Sequence, residues 1–340
     1  MELPDDQSEV LDGEPVLALE IVDGLPPGLP AELAGELADL LEDAERYAAA
    51  AQAVNTSRAY ASDWAQFTGW CDRYTLDPLP ASAAVVGLYL TSMAKRELSV
   101  STIRRRAAAI ARAHRQAGLL PATSDPRVQT VLEGIARVHG VAPHKKTAML
   151  RDPLLKLIDR IDLADTAGVR DRALLLLGFS VGLRRSELVA LTVEDLSPSP
   201  DGIRIRIARS KTDQTGRGQE LLVVYAEPPR PCPVRALRAW LDTALITTGP
   251  IFRRVTRTGA ISSPLTGQSV ALIIKKRART AGLDPREFAG HSLRSGYATQ
   301  AARDGHHPTQ IAATTRHQDQ RVLAGYIHAG RGKDDVAHVL

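Results

Sequence analysis

Gly202-Ile203-Arg204-Ile205-Arg206-Ile207 and, further on, Leu221-Leu222-Val223-Val224-Tyr225 mark the place where the chain changes period. The first stretch alternates strictly between branched apolar and cationic residues, as a half-buried strand does, and the second is rich in β-formers. The polar run Ser210-Lys211-Thr212-Asp213-Gln214-Thr215-Gly216 lies between them, so the two read as a hairpin with Lys211 near its turn. No strand signal comes before about residue 200. The expected fold class is therefore mainly α: a helical bundle followed by a mixed α+β domain with a small antiparallel sheet.

Working outward, the segments on the N-terminal side are helical. Leu33, Leu37, Leu40 and Leu41 share one face, and a second helix runs from capping candidates Asn55, Thr56 and Ser57 through Tyr60, Trp64, Phe67 and Trp70. An apolar helix covers Val85–Ala94. Ser101 is read as the cap of a helix from Thr102 to Gln116 that Gly118 ends, and Val128–Val138 makes another. Asp152–Ile161 and Val169–Val181 lead up to the hairpin. Pro233–Thr243, Ser269–Ala281, His291–Gly305 and Pro308–Thr315 follow it, and a last helical pair surrounds Tyr326. The expected organisation is an acidic disordered tail over 1–30, a helical domain over 31–140, a basic linker over 141–150 and a second domain over 151–340.

Residues 1–45 carry 14 of the 39 acidic residues and no Lys or Arg. Residues 46–340 therefore set 43 basic residues against 25 acidic ones, a surplus of 18 positive charges. So basic a body is the footprint of a polyanion partner, since Lys and Arg displace counterions from nucleic-acid phosphates. The longest apolar stretch, Ala173 to Leu183, is too short to span a bilayer, and no membrane association is expected. Met1-Glu2-Leu3-Pro4-Asp5-Asp6 has no basic region ahead of an apolar run, so no secretory signal is expected. Cys71 and Cys232 have no metal or redox spacing and read as residues of a reducing compartment; the expected location is the cytoplasm, bacterial on the alanine- and arginine-rich usage, and at the nucleoid if the polyanion is DNA.

Chemistry-bearing residues flank the hairpin on both sides. Arg184 and Glu187 stand in Gly182-Leu183-Arg184-Arg185-Ser186-Glu187-Leu188, and His291 and Arg294 in Gly290-His291-Ser292-Leu293-Arg294. His317 precedes Tyr326 in Arg316-His317-Gln318-Asp319-Gln320-Arg321-Val322-Leu323-Ala324-Gly325-Tyr326. Taken singly, an H-x-x-R pair is usually surface decoration, a turn lysine is usually solvated and a tyrosine is usually packing. Tyr297, three residues after Arg294, reads as helix packing. The ordered conjunction decides. It resembles the tyrosine recombinase (phage integrase) family in a Cre-like two-domain arrangement, whose catalytic domain carries Arg, Lys, H-x-x-R, a His or Trp, and a nucleophilic Tyr in this order.

That resemblance implies a site-specific DNA recombinase with catalytic residues Arg184, Glu187, Lys211, His291, Arg294, His317 and Tyr326, and with no cofactor, metal or ATP. Two guanidiniums suit the non-bridging oxygens of a phosphodiester, which gain charge as phosphorus is attacked. His291 would assist proton removal from Tyr326, Lys211 would protonate the departing 5′ oxygen, and Glu187 would orient its neighbours. The tyrosyl link conserves bond energy for rejoining. In two respects the chain departs from the family: Arg316 stands where a glycine usually precedes the final His or Trp, and Ser295 where many members have a second His.

The resemblance also implies partners. The helical half would be the core-binding domain, with Arg58, Arg104, Arg105 and Arg106 near the major groove and Lys145 and Lys146 following phosphates. Arg254, Arg257, Lys275 and Lys276 would contact phosphates, and Gln268 and Ser269 would read bases. The DNA would carry an inverted repeat, and four copies would assemble on two sites by exchanging C-terminal helices. Val336, Val339 and Leu340 supply a small apolar stripe for that exchange, and the Leu33–Leu41 helix could make a similar contact. The acidic tail could compete with DNA for the basic surface. Alternatives are a type IB topoisomerase-like enzyme, a non-catalytic DNA-binding relative, and a metal hydrolase on His306, His307 and His317, which lack carboxylate or cysteine partners at ligand spacing.

Overall fold

The computed structural model describes residues 31–50, 54–140, 146–207, 218–317 and 319–331. The acidic tail, Lys145, Lys211 with the hairpin turn, and the C-terminal Val336, Val339 and Leu340 lie outside the described residues. The chain divides into two compact units, with the boundary between His144 and Lys145.

The first unit contains helices α1 (Ala31–Ala50), α2 (Val54–Arg73), α3 (Ala83–Lys95), α4 (Val100–Gln116) and α5 (Pro126–His139). Side-chain caps set three of the starts. Ser82 accepts from the Val85 N–H, Ser99 from Thr102 and Asp125 from Arg127, with Pro126 in the first turn of α5. The expected cap Ser101 lies inside α4 instead. Ser99 is the serine whose hydroxyl reaches a free N–H of the first turn, and Ser101 bonds to it at 3.1 Å. Phe67, Val86, Leu90, Ile103, Ile110 and Val128 form the core of α2–α5. His114 is buried there, taking the Ala81 N–H on Nε2 at 2.9 Å and facing the Ile110 carbonyl through Nδ1 at 2.9 Å.

The second unit runs α6 (Arg151–Asp159), α7 (Thr166–Ser180), α8 (Arg185–Ala190), β1 (Leu196–Ser199), β2 (Gly202–Ile207), β3 (Gln219–Val224) and α9 (Pro233–Thr243). It continues with β4 (Arg253–Val255), β5 (Ile261–Pro264), α10 (Gly267–Thr280), α11 (Ser292–Arg303), α12 (Pro308–Thr315) and α13 (Gln320–Arg331). The apolar stretch read at Ala173 becomes the middle of α7, where Ala173 to Leu177 are all buried because α9 and α11 pack against the helix. β1, β2 and β3 form one antiparallel sheet with Ile203 opposite Val223 and Ile205 opposite Leu221, and the three isoleucines of β2 face the core while Arg204 and Arg206 face out. β1 and the β4–β5 hairpin were not expected from the sequence.

Two packing features hold the helices that carry the site. Asp171 of α7, 1% exposed, pairs with Arg170 and with Arg277 of α10, tying those helices through a buried charge network. A Cβ on Gly296 of α11 would lie 1.9 Å from the Met149 carbonyl oxygen, so only glycine lets α11 seat against the segment entering α6. Among the described residues no helix is long and apolar enough to cross a membrane.

Candidate active site

The turn after α7 begins the site. Gly182 has φ 57° there, and a Cβ would come 3.0 Å from Thr315 and 3.2 Å from Tyr297, so both the backbone and the space call for glycine. Its carbonyl accepts from Arg294 Nη1 at 2.8 Å. Arg184 precedes α8, and Glu187 reaches back from the third position of that helix to the Arg184 N–H at 2.8 Å and to Arg184 Nη1 at 2.5 Å. Arg316 Nη2 donates at 2.6 Å to Glu187 Oε2, the oxygen that also takes the Arg184 N–H, while Arg184 Nη1 bonds Oε1; Arg184 Nη2 donates to the Arg316 carbonyl at 3.1 Å. Burial pushes the Glu187 carboxyl upward, but Arg316 and the bonds from Arg184 outweigh it and hold the group below its ordinary range.

α11 supplies the next pair. His291 sits just before its first turn and Arg294 within it, so one helix start presents both. Arg294 is 1% exposed, and its Nη2 has no hydrogen-bond partner among the described residues. Burial and the neighbouring Arg184 pull its pKa down to about 9, which still leaves it cationic at neutral pH. Such a buried, unfilled cationic donor is a ready site for an anionic oxygen.

α13 packs along α11 through Ala298, Ala301, Ala302 and Leu323, which brings Tyr326 to the histidines. The phenol oxygen lies 2.9 Å from His291 Nε2, and the His317 ring centroid is 5.6 Å from that of Tyr326. His317 is held through Nδ1 by the buried Thr315 hydroxyl at 2.6 Å. Partial burial, then Arg294, Arg184 and Arg185, press His291 below the ordinary imidazole range. Burial and the same two arginines Arg294 and Arg184, with His291 and Arg316, take His317 down to about 4. Burial raises the Tyr326 phenol and Arg294 pulls it partly back. At neutral pH the arrangement is thus a neutral phenol against a neutral imidazole, surrounded by fixed guanidinium charge.

Six of the seven catalytic candidates thus meet in one place, while Lys211 lies outside the described residues. Tyr297 is not among them; its ring packs edge-on against Phe179 at 6.5 Å. Arg316 belongs to the cluster although the sequence reading named it only as a departure. Its signal was there: a charged residue at a position that usually takes glycine.

The candidate DNA residues divide by surroundings. Arg58, Arg104, Arg254, Arg257, Gln268, Lys275 and Lys276 are exposed, as is Lys146, whose Nζ donates to the Arg286 carbonyl at 2.8 Å. Ser269 is half-buried and its hydroxyl bonds Thr266 Oγ1 at 3.0 Å in the cap of α10. Arg105 pairs with buried Asp63, and Arg106 is turned inward to Asp63, Gln66 and Tyr89. Arg106 therefore serves the interior of the helical unit, because a buried carboxylate draws the nearest guanidiniums inward. Among the described residues no group of three or more His, Cys, Asp or Glu could hold a metal ion, and His307 instead caps α12.

Comparison with known proteins identifies the family. Residues 148–332 match the model of the phage integrase family. The chain is 40% identical over 292 residues to an integrase/recombinase xerD homolog of Selenomonas ruminantium, covering 84% of this chain and 85% of that protein. It is 28% identical to tyrosine recombinase XerD of Corynebacterium glutamicum over 52% of this chain and 53% of that one. The fold is similar to that of lambda integrase residues 75–356, solved as a dimer bound to a COC′ core site, with TM-score 0.55, 15% identity, and coverage of 83% of this chain and 91% of that one.

Proposed function

Because the chain belongs to the phage integrase family of tyrosine recombinases, we propose that it cuts and rejoins DNA at specific sites with Tyr326 as nucleophile. The observation that carries this reading is the 2.9 Å contact between the Tyr326 hydroxyl and His291 Nε2, beside a buried arginine with an unfilled donor. In the proposed reaction the Tyr326 oxygen attacks a backbone phosphorus while its proton passes to His291 Nε2. Arg184, Arg294 and His317 bind the non-bridging oxygens as charge develops on them, each preorganised donor contributing about 3 kcal/mol. The 5′ oxygen leaves with a proton from Lys211, giving a 3′-phosphotyrosyl link and a free 5′ hydroxyl. Attack of a 5′ hydroxyl on that link returns the phenol and reseals the strand, so neither ATP nor a metal enters the balance.

The first unit would then be the core-binding domain, with Arg58 and Arg104 toward DNA, and residues 145–146 would run along phosphates as the linker. On the second unit Arg254, Arg257, Lys275 and Lys276 would contact phosphates, and Gln268 would lie nearest the bases. Four copies would act on two inverted-repeat sites, exchanging their C-terminal segments.

The test is capture of the intermediate. The protein is incubated with sheared genomic DNA of its source without metal or ATP, SDS-stable adducts are recovered, and the attached ends are sequenced, with Tyr326→Phe in parallel. Adducts absent from the variant, with ends at one short inverted repeat, are the expected result. Ends scattered over all sequences would instead indicate a topoisomerase, and tight binding without adducts a non-catalytic binder.

A further inference from the structure

We infer that Arg316 is a positioning residue: its side chain clamps Glu187 and its carbonyl meets Arg184, and together these hold the segment bearing His317 against the arginine pocket. This deepens the recombinase reading and rests on it. Arg316 ends α12 at φ 57°, ψ 44°, a left-handed conformation that side chains rarely adopt and that glycine takes without strain. Something must therefore hold it there. Its guanidinium, 7% exposed, donates Nη2 to Glu187 Oε2 at 2.6 Å and Nη1 to the Thr314 carbonyl at 2.8 Å. Its backbone N–H bonds the Ala312 carbonyl at 2.7 Å, and its own carbonyl accepts Arg184 Nη2 at 3.1 Å.

Both ends of the residue thus reach one ion pair formed 129 to 132 positions earlier in the chain. The side chain holds the carboxylate and the main chain holds the guanidinium. His317 follows directly, with its ring fixed from the other side by Thr315. A glycine here would keep the backbone turn but drop the link to Glu187, leaving that buried carboxylate to Arg184 alone. Arg184 would then be drawn more fully onto Glu187 and away from an incoming oxygen. The arginine also offsets the Glu187 charge, so the pocket keeps the cations Arg184 and Arg294 in surplus.

The experiment compares the full chain with R316G, R316K, E187Q and E187Q/R316G in two measurements. The first is the 1H–15N spectrum of the imidazoles without DNA, with the His317 signals assigned by H317Q. R316G is expected to shift the His317 ring signals while those of exposed His306 and His307 stay in place. The second is adduct formation on sheared genomic DNA with protein in excess. R316G should form adducts roughly 10- to 100-fold more slowly at saturation, while its half-saturating concentration stays within about twofold. R316K should recover most of the rate, and E187Q should lessen the cost of R316G, since the charge to be held is gone. A merely structural arginine would instead lower the active fraction of both variants without moving the His317 signals, and that pattern overturns the proposal, as does an R316G enzyme of wild-type rate. If the wild-type chain itself forms no adduct, the recombinase reading fails, and the imidazole spectra still judge the clamp.

Discussion

The Tyr326 hydroxyl lies 2.9 Å from His291 Nε2, between a phenol whose pKa is raised and an imidazole whose pKa is lowered. Neither group is charged at neutral pH, so the proton must move as the oxygen attacks. Y326F should form no covalent adduct. H291Q should form it about 10²–10⁴-fold more slowly, the usual worth of a general base. The pH profile follows from the sign of the shift. His291 accepts a proton only when neutral, so adduct formation should hold through the mildly acidic range where a free imidazole, near about 6.5, is half protonated. It should decline only at lower pH. A rate that already halves near the free-imidazole value would show that His291 is not held below the ordinary imidazole range when DNA is bound.

His317 carries a second pH signature, in stability. Its pKa falls to about 4 in the fold against about 6.5 in an unfolded chain. Between those values the unfolded state binds the proton and the folded state does not. The stabilisation is therefore complete above the unfolded value and is lost as pH falls toward the folded one. Thermal unfolding followed from about pH 7 to about pH 4.5 should show this loss, and H317Q should flatten the slope by a measurable part. The groups facing the ring, Arg294, Arg184, His291 and Arg316, are unchanged in that variant.

The sequence carried this site better than it carried the sheets. Strict alternation exposed β2, because a strand with one buried face must repeat every two residues. β1 hides behind Leu196-Ser197-Pro198-Ser199, where a proline without a donor is tolerated on an edge strand. β4 and β5 are three and four residues long with mostly exposed faces, too short to show a period. The resemblance of the ordered motifs to the recombinase family brought out Arg184, Glu187, His291, Arg294, His317 and Tyr326; helix geometry alone pairs only Arg184 with Glu187 and His291 with Arg294, each at one helix start. The inward turn of Arg106 was not legible, since it depends on Asp63 of α2, 43 positions earlier. The Arg316 clamp likewise exists only once α12 and α8 are brought together.

Asp171 should be among the costliest positions in the second unit. Its carboxylate, 1% exposed, serves Arg170 and Arg277, which are 9% and 7% exposed. D171N keeps the shape but strands two buried cations, a change worth about 3–5 kcal/mol. Calorimetry should show the unit melting roughly 10 °C lower. A shift of only a degree or two would mean that water reaches the network.

Gly296 offers a steric test of how α11 is seated. The Cβ of G296A would stand 1.9 Å from the Met149 carbonyl oxygen, a backbone atom that cannot swing away, so α11 must shift. Because His291 and Arg294 open that helix, adduct formation should fall by more than the loss in stability explains, by about tenfold or more. Stability itself should drop by about 2 kcal/mol. Denaturant unfolding and single-turnover rates on the same preparation separate the two effects.

Arg104 and Arg106 lie two positions apart on α4 and should behave oppositely. Arg104 is exposed, so R104A should weaken binding to all duplexes alike and reduce the salt slope of log affinity by about 1, with melting unchanged. Arg106 is 12% exposed, with its guanidinium on Asp63, Gln66 and the Tyr89 hydroxyl, so R106A should leave a buried carboxylate partly uncompensated. Its cost should appear as about 2–3 kcal/mol of stability in the helical unit, and the salt slope of the folded protein should not change. A filter-binding series across salt concentration, beside chemical denaturation of both variants, reads the two quantities independently. If R106A altered the slope as R104A is expected to, the arginine would have to leave Asp63 and turn outward when DNA binds.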